Sequence, residues 1–208
     1  DLKISTARFA NVAFSNGSLL FGFIQSMMKR QPLSAPSDVK RYFVSPEESG
    51  QLCMLACMLG KSSDIFFPKL DASQMMTFSS IAEHFLASIG LKPHYCVSDE
   101  EARLKAKAWT SDNPEYPVYF FKTDTSGEKS FEEFYTATDE VDNHSFNALG
   151  VVKNSEIQSR VAIDEMLLAF QQLFETQGIN KAKVIDLLNQ YLPDFQHIET
   201  GKSLDQKM

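Results

Sequence analysis

The sequence predicts an α/β protein. Three observations carry that prediction. Short apolar runs alternate with segments of helical periodicity, strong helix-start signals follow two of those runs, and the texture beyond Asn154 turns to helix alone. The first run spans residues 2–12, where Ile4, Thr6, Ala7, Phe9 and Val12 are apolar or β-branched. A near-continuous run of this kind reads as a buried parallel strand, which needs neighbours on both sides. The chain opens on Asp1 rather than Met, with no sequence before it to supply them, so a piece of a longer protein is expected. An edge strand paired with later strands is the alternative.

A helix over 19–31 follows, with Leu20, Phe23, Ile24, Met27 and Met28 on one face. Pro32 stops it, because proline cannot continue the hydrogen-bond ladder. Residues 40–44 read as a short strand. Ser45-Pro46-Glu47-Glu48 then starts a helix: Ser45 caps, Pro46 suits the first helical position, and Glu48 completes a capping box. Leu52, Leu55, Ala56 and Leu59 are its expected buried face, and Gly60 ends it. A strand over 64–70 centres on Ile65, Phe66 and Phe67. Phe78, Ile81, Ala82, Phe85 and Ile89 mark an amphipathic helix that Gly90 terminates. Residues 93–97 form the next strand. Ser98 and Glu101 predict a second capping box, opening a helix to Trp109. Residues 112–116 read as a polar loop, 118–121 as a strand, 123–129 as a turn, and 139–144 as an acidic loop. Ile163, Met166, Leu167, Phe170 and Phe174 make one helical stripe, Gly178 breaks it, and Val184, Ile185, Leu188 and Leu192 make a second. The expected organisation is residues 1–153 as one α/β part, 154–199 as a helical hairpin, and 200–208 as a frayed tail.

Composition narrows the function. The 208 residues carry 20 Lys+Arg against 27 Asp+Glu, a net charge of −7, which argues against general affinity for nucleic-acid phosphates. No apolar stretch approaches the roughly 20 residues of a membrane-spanning helix. Three cysteines do not make a disulfide framework, so a reducing, cytoplasmic setting is expected. His84, His94, His144 and His197 are scattered without partners at ligand spacing, and no metal site is expected. Cys53 and Cys57 read as small core residues. Glu47-Glu48 and Glu132-Glu133 read as caps and solvated helix turns. There is no GxSxG elbow, Walker loop or GxGxxG fingerprint.

Two segments stand out. Residues 8–18 run from a strand through a Ser/Asn/Gly loop straight into a helix, which is how an α/β sheet offers backbone N–H groups and a helix N-terminus to an anion. Lys40-Arg41-Tyr42-Phe43-Val44 places basic residues just before the capped helix, and an Arg fork there suits a pyrophosphate.

Together these segments resemble the extended short-chain dehydrogenases that act on nucleotide sugars. The polysaccharide-biosynthesis 4,6-dehydratases and their epimerase relatives are the branch most like this chain. That family carries R-F/Y-G-N-V-x-G-S-x-G-S, which stands here as Arg8 to Ser18 with Ala10 and Phe14 in place of two glycines. Its T-R-Y/F-F/W before an acidic helix start is matched by Lys40 to Glu48. Its R-P-G-E-K-L-H-E is matched by Thr125 to Glu132, with the Gly-Glu-Lys core kept but Thr125 for the arginine and Phe131 for the histidine. These departures put the nucleotide base in doubt, and they fit a legionaminic-acid-type branch in which a GDP sugar stands beside UDP-N-acetylglucosamine.

The resemblance implies a Rossmann domain holding NAD or NADP with a YxxxK pair, and a smaller part that clamps the nucleotide sugar. This chain has neither the GxxGxxG loop nor YxxxK, so it is expected to comprise the last sheet strands and the substrate-binding part. No catalytic residue is expected in it, and alone it is expected to be inactive and to bind no cofactor. The substrate-binding candidates are Asn11, Ser15, Gly17, Ser18, Arg41, Glu128 and Lys129. Homo-oligomerisation is expected of the full-length protein. The alternative is a non-catalytic α/β binding module whose helical tail contacts a partner.

Overall fold

The computed structural model describes residues 2–126, 132–153, 157–192 and 195–201. The chain divides into two compact units, residues 1–123 with 129–155, and residues 124–128 with 156–208. The α/β expectation holds for the first unit and the helical hairpin for the second.

The predicted strand over 2–12 is two short strands, β1 (Thr6–Ala7) and β2 (Asn11–Val12), in different sheets. The residues between them give the chain room to change partners. A turn then leads into α1 (Leu19–Met28), whose N-cap Ser18 accepts the Phe21 N–H. The strand β3 (Leu33–Pro36) follows, a segment the residue pattern did not single out. The predicted strand over 40–44 likewise splits, into β4 (Lys40–Arg41) and β5 (Phe43–Val44).

Helix α2 (Pro46–Leu59) begins as its sequence dictates. Ser45 Oγ accepts the Glu48 N–H at 3.1 Å, and the Glu48 carboxylate accepts the Ser45 N–H at 2.7 Å. Its buried face is narrower than the pattern predicts. Leu52 and Ala56 are buried, but Leu55 and Leu59 are exposed, and so are Cys53 and Cys57, which are not core residues. Only one stripe of α2 faces its sheet, and both cysteines lie outside it.

Next come β6 (Ile65–Pro68), β7 (Met76–Thr77), α3 (Phe78–Ser88), β8 (Lys92–Tyr95), α4 (Asp99–Ala108) and β9 (Glu115–Phe121). Gly90, at φ +79°, ends the α3 region in the left-handed conformation that glycine adopts at no steric cost. At α4 the second capping box is half-formed: Ser98 caps the Glu101 N–H, but the Glu101 carboxylate accepts from Val97 N instead. Strand β9 takes in part of the predicted polar loop, because Tyr116 is buried and its hydroxyl donates to Gln31 O at 2.7 Å. Burial pushes that phenol up to about 12. The acidic loop over 139–144 contains β10 (Glu140–Asp142), which pairs with β11 (Leu149–Lys153).

Four sheets result. One has the order β1-β6-β11-β10, with β1 and β6 parallel and the rest antiparallel. Another, β3-β9-β8, is parallel throughout. Parallel β2 and β5 form a third, and antiparallel β4 and β7 a fourth. One core packs Phe23, Ile81, Ala82 and Leu86 against Leu33, Ala35, Tyr116 and Val118 of the parallel sheet. A second packs Leu52 and Ala56 against Phe66 and Val151. Full burial of a residue such as Phe66 contributes about 1.5–3 kcal/mol. A third joins Ala10, Tyr42 and Val44.

The second unit contains α5 (Arg160–Glu175) and α6 (Lys181–Tyr191), joined around Gly178 at φ +75°. Phe170 contacts Tyr191 across the pair, with ring centroids 6.4 Å apart. No described helix is long and apolar enough to cross a membrane.

Candidate functional site

The site is built where β2 and β5 run side by side. Asn11 lies opposite Phe43 in this parallel pair, and its backbone N–H donates to Tyr42 O at 3.1 Å. The same residue's Nδ2 reaches Tyr42 O and a Glu132 carboxylate oxygen, each at 3.4 Å. The Tyr42 N–H also donates to that Glu132 oxygen at 3.4 Å. Glu132 therefore meets residues 121 and 90 positions away in sequence. Arg8 ties the same segment down, donating to Phe134 O at 2.7 Å, and Phe134 stacks on Tyr42. Three separated stretches, 8–18, 40–48 and 132–134, thus converge on one place.

The electrostatics of that place centre on Glu132. Burial pushes its carboxyl above the usual glutamate range, while the Tyr42 N–H and the Arg41 charge pull the other way and only partly offset it. Burial likewise raises the Tyr42 phenol, with the charges of Asp71, Glu132 and Tyr135 adding to the effect. Glu132 is therefore not a solvated helix turn, as its sequence context suggested. The signal that could have found it is its place as the last position of the third motif.

The remaining candidates divide. Ser15 Oγ donates to Val12 O at 2.9 Å, so it closes the turn after β2. Ser18 caps α1. Gly17 adopts φ +78°, which its lack of a Cβ permits. These three shape the junction between strand and helix, which leaves the Asn11 amide free of turn-capping. Arg41 lies over the Phe78 ring, 5.9 Å from its centroid, and donates to Lys40 O at 2.8 Å. It makes no ion pair with Glu47 or Glu48, and the Glu48 carboxylate is engaged in the α2 cap. Glu128 and Lys129 lie outside the described residues.

The departures from the motifs also have structural positions. Ala10 is 4% exposed and packs with Tyr42 and Val44. Phe14 sits at φ +60°, where a residue with a Cβ is strained and glycine is not. Thr125 is buried, and Phe131 lies outside the described residues.

The profile of the family described as "Polysaccharide biosynthesis protein" matches residues 1–154. The chain belongs to that family. The match takes in all three motifs and both strands of the Asn11 junction. No curated protein matches the chain. A solved structure described as "X-ray structure of Pen from Bacillus thuringiensis" is similar in fold, with a TM-score of 0.51 at 15% identity. The similarity covers 81% of this chain and 50% of that one, so this chain spans about half the length of the protein it matches.

Proposed function

We propose that this member of the polysaccharide-biosynthesis family is the substrate-binding portion of an NAD(P)-dependent nucleotide-sugar 4,6-dehydratase or epimerase. The observation that carries the reading is the convergence of Asn11, Tyr42 and Glu132 from three motifs far apart in sequence, with Arg41 next to Tyr42 in the chain. A binding site assembled from several excursions is what a clamp for a large, polar ligand requires. The ligand is a UDP- or GDP-linked N-acetylhexosamine.

Each residue has a role in this reading. Arg41 is the main cation for the pyrophosphate, because a guanidinium engages two phosphate oxygens at once. The turn through Ser15 and Gly17, with the N-terminus of α1 behind Ser18, offers N–H groups to the same anion. Asn11 turns its amide from Glu132 to the sugar nucleotide, and Glu132 holds that amide in place until the substrate arrives. Glu128 and Lys129 are the second set of contacts.

The residues present do not make a dinucleotide cradle. The sequence carries no GxxGxxG loop against which a dinucleotide pyrophosphate could pack, and the Gly17 turn does not have that pattern. The cofactor is therefore assigned to parts of the longer protein. A nicotinamide bound there would supply the hydride-transfer chemistry that both dehydration and epimerisation need.

The test is calorimetry on the complete protein with UDP- and GDP-N-acetylglucosamine. Arg41→Lys is expected to cost about 1.5–3 kcal/mol of affinity, the range of a charge-assisted bond, with little change in melting temperature. Asn11→Ala is expected to lower kcat/KM without unfolding the protein. Affinity within twofold of wild type for both sugars in Arg41→Lys would remove Arg41 from the site. Mass spectrometry of the product separates dehydration from epimerisation.

A further inference from the structure

The parallel sheet β3-β9-β8 carries a second cluster of reactive side chains on its edge strand β8. His94 and Cys96 are two residues apart on an extended segment, so they share one face. Tyr95 between them points away, and its hydroxyl donates to Glu83 of α3 at 2.9 Å. The chain then turns into α4, and its first turn brings Glu101 back over the same face. One ligand atom each from His94, Cys96 and Glu101 lies within 4.8 Å of the others. Scattered histidines gave no metal-ligand spacing in sequence, because the third member arrives through the strand-to-helix turn.

Two further contacts show that the cluster is set up for a cation. His94 Nδ1 is 3.1 Å from a Glu115 carboxylate oxygen. With the proton on Nδ1, that carboxylate fixes the ring and turns the Nε2 lone pair towards the cluster, the arrangement that orients metal-bound histidines. An ammonium already stands there: Lys105 Nζ is 2.6 Å from His94 Nε2 and 2.7 Å from a Glu101 oxygen. The same lone pair and the same carboxylate that hold this ammonium are donors to a divalent ion. Lys105 is on a flexible, 43% exposed side chain and can swing into solvent.

We propose that His94 Nε2, Cys96 Sγ and Glu101 form a Zn2+ site, with Glu115 as the positioning residue and Lys105 as an internal competitor. Zinc, borderline in softness, takes mixed N, S and O donors at about 2.0–2.3 Å, which puts ligand atoms about 3.3–3.8 Å apart. The cluster reaches that spacing by contracting about 1 Å, through side-chain rotation of His94 and Glu101. Three protein ligands leave a fourth position for water or an outside ligand. The site lies apart from Asn11 and Glu132 in sequence and element, and does not depend on the nucleotide-sugar reading.

The test uses Co2+ as a spectroscopic substitute for Zn2+, titrated into the reduced 208-residue chain carrying Cys53→Ser and Cys57→Ser, so that Cys96 is the remaining thiol. One equivalent of Co2+ is expected to give a thiolate charge-transfer band and the intense visible bands of tetrahedral coordination, and Zn2+ is expected to displace it. Cys96→Ser should abolish the charge-transfer band. His94→Ala should weaken binding at least tenfold, and Glu115→Gln by about 10–100-fold, as loss of an outer-shell partner does. Lys105→Met should bind Co2+ more tightly, a gain that misfolding cannot produce. No charge-transfer band at one equivalent, a band indifferent to His94→Ala, or unchanged or weaker binding in Lys105→Met would each overturn the proposal.

Discussion

Glu132 has a half-buried carboxylate whose neighbours only partly support its charge. Its pKa is raised in the folded chain, so the folded state takes up its proton more readily than the unfolded state does. Stability then falls as pH climbs from the ordinary glutamate pKa, near 4.5, through the raised one, because over that window the folded state binds more protons. Above the window the cost is constant. Glu132→Gln keeps an acceptor for Asn11 and Tyr42 but carries no charge. Melting followed by circular dichroism should show the variant more stable than wild type at pH 7 and indistinguishable from it near pH 4. A variant less stable at pH 7 would mean that Arg41 and the Tyr42 N–H outweigh the burial. Glu132 sits where the three motifs meet.

At the scale of elements, the pairing of β6 with β11 depends on one missing side chain. Gly150 lies directly opposite Phe67, and a Cβ on it would stand 2.2 Å from the Phe67 ring. That ring has little room to retreat, being 2% exposed and packed between Phe134 and Tyr135. Gly150→Val supplies a better strand former on propensity alone, yet it should destabilise the chain by about 1–3 kcal/mol, the usual cost of overpacking. Urea unfolding of the variant measures this, and an unchanged or raised midpoint would show that the ring moves aside. Helix α2 teaches a related lesson. Its start was legible because the capping box is local, involving Ser45, Pro46 and Glu48 alone. Its buried face was not, because Leu55 and Leu59 have the spacing of core residues but no neighbouring element covers them.

For the whole molecule, the two units differ in how much core they own. Among the described residues the first has three clusters of buried residues, whereas neither α5 nor α6 contains a buried residue. A small unit with so little buried area is marginal. Heating should therefore not give one transition. Far-ultraviolet circular dichroism should lose part of its helical signal before the fluorescence of Trp109 changes. Trp109 is the chain's single tryptophan, and it sits in the first unit with its indole N–H bonded to Glu115 O at 2.9 Å. Coincident curves from the two probes would show one cooperative unit instead.

The sequence by itself determined the α/β class, the helix starts at Ser45 and Ser98, and the three motifs that mark the family. These are properties of residues near one another along the chain, set by capping, turn chemistry and periodicity. The tertiary structure decided which strands pair and what the motifs assemble. It broke the run over 2–12 between two sheets, made strands of Leu33–Pro36 and Leu149–Lys153, and carried Glu132 to Asn11 and Glu101 to His94. The physical reason is common to all of these. A strand's partner and a carboxylate's environment are non-local, fixed by burial and hydrogen bonding across many intervening residues, and no local pattern encodes them.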